Sequence, residues 1–150
     1  METPTKNDWE SIDYPADNLD VICARKHFFG KTLKEAESLF ADNALYYQED
    51  LSYMPPSPFR YYLHAYMSYL TSSHSEGDTD AASCFLGLLA EKLDTENEKN
   101  GLLAFWDRIE ETLASIRQRK EWFEWDHDIY GDLEERIAAI TQRKNGISRH

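Results

Sequence analysis

The residues best suited to metal or hydrolytic chemistry lie in the tripeptide Asp126-His127-Asp128, to which folding could add His64 or Glu124. Imidazole and carboxylate groups bind divalent cations, and a bound cation can activate water. Adjacent residues of a tripeptide, however, point in different directions, and no HxxxH helix spacing accompanies these. Since the same residues fit a helix break with an aspartate as N-cap, we predict no metal site.

Motifs for other reactions are missing from the sequence. It has no GxSxG nucleophile elbow, no glycine-rich phosphate loop and no dinucleotide-binding fingerprint, and its six glycines are scattered singly. The adjacent acids Glu110 and Glu111 are neighbours on a helix surface, where exposure is the ordinary state. We therefore predict no catalytic residues, no cofactor and a protein that is not an enzyme.

The two cysteines, Cys23 and Cys84, lie far apart and belong to no CxxC pair. We interpret them as reduced, half-buried thiols. The alternative is a single disulfide in an exported protein, but the N-terminal residues are acidic and polar and no apolar run approaches a membrane span. The sequence thus favours the cytoplasm and predicts no membrane association.

Aromatic residues are concentrated over residues 46–69. They are Tyr46, Tyr47, Tyr53, Phe59, Tyr61, Tyr62, Tyr66 and Tyr69. Because a surface helix buries one stripe, Tyr61 and Tyr69 are not both expected beside Phe59, Tyr62 and Tyr66. Tyrosine is common at interfaces, so this segment predicts a partner-binding surface; the alternative is a tyrosine-rich core helix with hydroxyls at its rim. The candidate binding residues are Tyr46, Tyr47, Glu49, Asp50, Tyr61 and Tyr69.

The net charge of the chain indicates which class of partner it could bind. The chain has 28 acidic and 16 basic residues, a formal net charge of −12, and residues 35–50 carry acids but no base. Such a field repels a phosphate backbone and attracts basic proteins, although solvated helix faces would have the same composition. Direct nucleic-acid binding is therefore not expected. The aromatic and basic run from Arg117 to Trp125 is interpreted as an amphipathic helix with its aromatic side facing inward.

Helical periodicity extends from about Leu19 to Ile140, and no alternating strand pattern occurs. A first helix ends at Gly30, Thr32 and Glu35 form a capping box, and Ser57-Pro58 starts the tyrosine-rich helix. Asp78 or Thr79 caps the next helix, and residues 94–100 are predicted to be a connection. The pattern leaves open whether residues 101–125 form one helix or two.

Three segments resemble a group of short bacterial proteins of unknown function: residues 58–70, residues 116–125 and residues 128–137. The first is a proline-started aromatic helix and the others are amphipathic helices. The resemblance implies a small helical bacterial protein and carries over no site residue. Small acidic bacterial proteins are often immunity proteins that neutralise a toxin, which is an analogy of size and charge.

These observations predict an all-α protein, a compact irregular bundle of six or seven helices, with a flexible segment over residues 1–12 and a single helical domain over residues 13–150. The expected function is non-catalytic protein binding, in its sharper form an immunity-type inhibitor that masks a basic toxin or effector through acidic helix faces and exposed tyrosines. The alternatives are a small-ligand or metal-binding enzyme or sensor with a pocket near the tyrosine-rich helix, and a structural homo-oligomeric subunit. A homodimer is compatible with the sequence.

Overall fold

The computed structural model describes residues 1–146 and confirms the all-α class. Within these residues it contains seven helices of eight or more residues and one of four. The helices are α1 (Leu19–Phe28), α2 (Leu33–Gln48), α3 (Pro56–Leu70), α4 (Thr79–Lys92), α5 (Glu96–Leu103), α6 (Trp106–Gln118), α7 (His127–Tyr130) and α8 (Leu133–Lys144). Short 3-10 helices span Asn7–Trp9, Glu49–Tyr53 and Ser73–Ser75. The only β-type pairing in this range is an isolated bridge between Ser11 and Tyr14.

The chain divides into two compact units, Met1–Ser72 and Ser73–His150. Residues 147–150, the end of the predicted helical domain, lie outside the described residues. The single-domain organisation stays a prediction. Among residues 1–146, no helix has both the length and the apolar character that crossing a membrane requires.

In the first unit, α3 lies at the centre, packed against α2 and against the 3-10 helices Asn7–Trp9 and Glu49–Tyr53. It is buried on nearly every side, so it has neighbours beyond the single stripe of Phe59, Tyr62 and Tyr66. Tyr61 and Tyr69 are both buried, at 6% and 3% exposure. For Tyr61 the reason is visible: the N-terminal segment lies over it, and the two hydroxyl oxygens of Thr3 and Tyr61 are 3.3 Å apart.

The N-terminal segment, for which the sequence predicts flexibility over residues 1–12, contains one turn of 3-10 helix and a buried tryptophan. Trp9 is 2% exposed, and its ring lies 6.2 Å from the Tyr62 ring and 6.5 Å from the Phe29 ring, centroid to centroid. Aromatic contacts at these separations stabilise packing beyond the area they bury. Trp9 thus attaches the segment to the core of its unit.

Helix α2 begins as predicted and bends at Asn43. The Thr32 side chain accepts from the Glu35 amide, and the Glu35 carboxylate accepts from the Thr32 amide, which completes the predicted capping box. At Asn43 the backbone leaves the helical region, with φ −161° and ψ 82°. The Asn43 side chain accepts from the Tyr46 amide at 3.1 Å and so caps the second half of the helix.

Helix boundaries elsewhere follow recognisable caps. Gly30 follows α1 with φ 80°, a conformation that favours glycine. Helix α3 starts at Pro56, two residues before the predicted Pro58, because Pro56 also suits a first helical turn. Asp78 caps α4 as predicted, by accepting from the Ala81 amide.

In the second unit, α8 packs against α4 and α6. The prediction that residues 94–100 form a connection is wrong, because α5 begins at Glu96. The polar residues that suggested a connection lie on the exposed face of this helix. Residues 101–125 are not one continuous helix: α5 ends at Leu103, and α6 ends at Gln118. The following turn is held to the start of α4 by hydrogen bonds from the Thr79 hydroxyl to the Phe123 carbonyl and from the Gly77 amide to the Trp122 carbonyl.

Candidate functional site

Three of the predicted binding residues lie together at a surface of the first unit. Tyr46 is 55% exposed, Tyr47 is half-buried and Glu49 is exposed. Asp50 is buried, at 8% exposure, and so are Tyr61 and Tyr69. Because a buried side chain offers no area to a partner, the contact set is corrected to Tyr46, Tyr47 and Glu49. We give the name Tyr46 surface to the exposed residues Asp20, Tyr46 and Glu49 together with the half-buried Tyr47.

Asp50 has a structural role beneath this surface. The His27 Nδ1–H donates to Asp50 Oδ2 at 2.6 Å, which joins the last turn of α1 to the 3-10 helix Glu49–Tyr53. Their side chains are 23% and 12% exposed, so the pair is partly screened from water. The sequence does not predict this role of His27, because His27 lies 23 positions before Asp50 and no motif links the two residues.

The two tyrosines are fixed by contacts with this histidine. The His27 ring lies 5.6 Å from the Tyr46 ring and 5.3 Å from the Tyr47 ring, and Tyr47 meets it edge-on. The tyrosine rings also meet edge-on, 4.9 Å apart at 80°. Such T-shaped geometry is the favourable one for aromatic pairs. Tyr46 is therefore an exposed aromatic side chain whose base is held by neighbouring rings.

The electrostatics of the surface are acidic. Burial raises the pKa of the Asp50 carboxyl above its ordinary value of 3.8, the hydrogen bond from His27 opposes that shift, and the charges of Glu49 and Asp20 add to it. Glu49 and Asp20 therefore lie near enough to Asp50 to act on it. Neither of them forms an ion pair with any described residue. The exposed negative charge at this surface is thus left without a cation from the chain itself.

A histidine held by a carboxylate can act as a general base, and Cys23 precedes His27 by one helical turn. The Cys23 thiol is exposed and free, and it makes no hydrogen bond with His27 in the structure. The structure therefore shows no direct contact through which His27 takes the Cys23 proton. The His27–Asp50 pair is accounted for by its role in joining two elements.

The tripeptide considered for metal chemistry forms a helix start. Asp126 accepts from the Asp128 amide at 2.9 Å, as an N-cap does, and α7 begins at His127. His127 Nε2 and Asp128 Oδ1 are 3.3 Å apart on side chains that are 75% and 84% exposed. Over residues 1–146, no three histidine, cysteine or carboxylate side chains converge in a way that could hold a metal ion.

The basic and aromatic run packs locally. The Arg119 guanidinium lies 4.4 Å from the centre of the Trp122 ring and 5.6 Å from that of Phe123, which is fully buried. Trp125 donates to the Gly131 carbonyl at 2.9 Å. These aromatic rings pack within their own unit, but the amphipathic helix predicted for this run is wrong beyond Gln118, where α6 ends and a turn follows.

Neither the known protein families, nor the curated proteins, nor the solved structures contain a match to this chain. The resemblance drawn from residues 58–70, 116–125 and 128–137 stays a prediction.

Proposed function

We propose that this chain is a non-catalytic protein-binding protein that masks a basic partner through the Tyr46 surface. The observation that carries the proposal is an exposed tyrosine, fixed by neighbouring rings, beside carboxylates that have no cation partner among the described residues. An immunity-type role against a basic toxin or effector is the sharper form, and it rests on the analogy of size and charge given above.

Tyr46 supplies the anchor of the proposed interface. Tyrosine is enriched among residues that dominate binding energy because its ring buries apolar area while its hydroxyl stays hydrogen-bonded. A side chain that is already fixed loses little rotamer entropy when it binds. The contacts of Tyr46 with His27 and Tyr47 provide that fixation.

Glu49 and Asp20 supply the charge. In a chain of net charge −12, they attract a basic partner over roughly 10 Å at moderate ionic strength. Electrostatic attraction of this kind mainly raises the association rate, whereas burial of Tyr46 slows dissociation. The same charges disfavour a symmetric dimer through this surface, because like carboxylates would face each other.

The test is affinity capture by the tagged full-length chain from lysate of cells that naturally produce it. Wild type is expected to retain a basic protein whose capture weakens as salt is raised from about 50 to about 300 mM. Tyr46→Ala and Glu49→Lys should each lower affinity for the purified partner by about tenfold or more.

Glu91→Lys is the matched control, since Glu91 is exposed on α4, in the other unit, and forms no ion pair among the described residues. It makes the same charge change and should leave the affinity near that of wild type. A captured partner that is acidic, or one whose affinity is unchanged by Tyr46→Ala and Glu49→Lys, would refute the proposal.

A further inference from the structure

A groove lies in the first unit, between the N-terminal segment and α1. The groove has a volume of about 560 Å³, within the range of small-molecule sites. It is lined on one side by Ser11 and Tyr14, which an isolated bridge pairs, and on the other by residues of α1. Neither Tyr46 nor any other member of the Tyr46 surface lines it.

The floor of the groove is apolar. Trp9, Val21 and Ile22 line it, and Ile22 is 41% exposed although its side chain is fully apolar. The Trp9 Nε1–H is buried and has no acceptor among the described residues. The apolar surface that the groove offers to solvent therefore comes mainly from Ile22, since Trp9 and Val21 are buried.

One turn further along α1, the lining becomes cationic. Arg25 follows Val21 by four residues and Lys26 follows Ile22 by four, so the two cations stand about 6 Å beyond the two apolar side chains along the helix axis. The Arg25 guanidinium lies 5.1 Å from the centre of the Phe29 ring. Neither cation is paired with a carboxylate among the described residues, although the chain has a large excess of acids.

One acid, Glu10, also lines the groove. Two cations and one carboxylate leave a single net positive charge, which suits a monoanion better than a polyphosphate. The order of lining groups along α1 fixes the orientation: an apolar body over Val21 and Ile22, and an acidic head at Arg25 and Lys26.

We propose that this groove binds a small amphiphilic monocarboxylate, with an aliphatic body and one anionic head. The site is separate from the Tyr46 surface, so either proposal can fail without the other.

The test titrates the full-length chain with decanoate, decan-1-ol and decylammonium, followed by calorimetry. The three probes share one apolar chain and differ in the charge of the head. Decanoate is expected to bind saturably with a Kd below about 1 mM, decan-1-ol about tenfold more weakly, and decylammonium more weakly still. Equal affinity for all three, or no saturable binding of decanoate, would overturn the proposal.

Two pairs of variants locate the site. Ile22→Asp should abolish decanoate binding, whereas Leu45→Asp, at a residue of similar exposure outside the groove, should leave it unchanged. The double variant Arg25→Gln/Lys26→Gln should weaken decanoate binding by about tenfold and leave decan-1-ol binding unaffected. The control variant Lys34→Gln should bind decanoate like wild type. Circular dichroism verifies that each variant is folded. Equal losses in Leu45→Asp and Ile22→Asp, or a double variant that binds like wild type, would place the ligand elsewhere.

Discussion

At the scale of single residues, the hydroxyl of Tyr62 makes the most consequential polar contacts in the first unit. It is fully buried and lies 2.7 Å from the Phe28 carbonyl oxygen and 2.8 Å from that of Lys31, so one phenol contacts both carbonyls where α1 ends and the chain turns towards α2. The Phe28 carbonyl also accepts from the Lys31 amide at 3.0 Å, so it would keep one donor without the Tyr62 hydroxyl.

We expect Tyr62→Phe to lower the free energy of unfolding by about 1 kcal/mol, because it removes one donor from the Phe28 and Lys31 carbonyls. Urea denaturation followed by circular dichroism measures this. Tyr46→Phe removes a hydroxyl from an exposed ring and should change stability by less than about 0.5 kcal/mol. Similar losses in both variants would contradict the assignment.

The same residue predicts a pH dependence. Burial raises the pKa of the Tyr62 hydroxyl above its ordinary value of 10.0. As pH rises through that value the unfolded chain loses the proton and the folded chain keeps it, so the contribution of Tyr62 is present below pH 10 and is lost above it. The stability difference between wild type and Tyr62→Phe should therefore begin to shrink near pH 10 and continue to shrink as the pH rises towards the raised pKa of the folded chain.

At the scale of elements, the bend in α2 decides where Tyr46 stands. The Asn43 side chain replaces a backbone acceptor and caps the half-helix that carries Tyr46 and Tyr47. A residue without a side-chain acceptor cannot do this, and it would favour a continuous helix through position 43.

Asn43→Ala should lower the free energy of unfolding by about 1 kcal/mol and weaken partner binding at the Tyr46 surface. Asn43→Asp keeps the acceptor and should restore most of the stability. Thermal unfolding of the three chains measures the first effect. Equal stability of the Asn43→Ala and Asn43→Asp variants would show that the side-chain cap does not stabilise the bend in α2.

The sequence predicts features that depend on residues close together in the chain, and it does not predict features that depend on distant residues. The Thr32 capping box and the Asp78 cap depend on residues three apart, and both are present in the structure. The burial of Tyr61 depends on Thr3, 58 positions away, and the His27–Asp50 bond spans 23 positions, so no local pattern contains either. The sequence predicts three of the four residues of the Tyr46 surface, Tyr46, Tyr47 and Glu49, but not Asp20. The groove between the N-terminal segment and α1 was not predicted, because residues of a turn and of a helix line it together and no local sequence pattern contains both.

At the scale of the whole molecule, the excess of acids is a source of repulsion. A formal charge of −12 on 150 residues destabilises any compact state, and dissolved salt screens it. We expect the Tm to rise by a few degrees when NaCl is raised from about 10 to about 300 mM at pH 8.

Lowering the pH provides the control for that prediction. Near pH 5 part of the carboxylates approach their ordinary pKa values and the net charge is smaller, so the same salt step should produce a smaller rise. A rise of equal size at both pH values would show that salt acts through apolar burial and not through screening.

The placement of Trp9 has a consequence for spectroscopy. The other three tryptophans, Trp106, Trp122 and Trp125, all belong to the residues after Ser72, so Trp9 is the only indole in the unit Met1–Ser72. Indole emission from Trp9 therefore monitors that unit alone, and the difference between wild type and Trp9→Phe isolates its signal. Melting curves from this difference signal and from the remaining indoles would coincide if the two units unfold cooperatively, and would separate if each unfolds by itself.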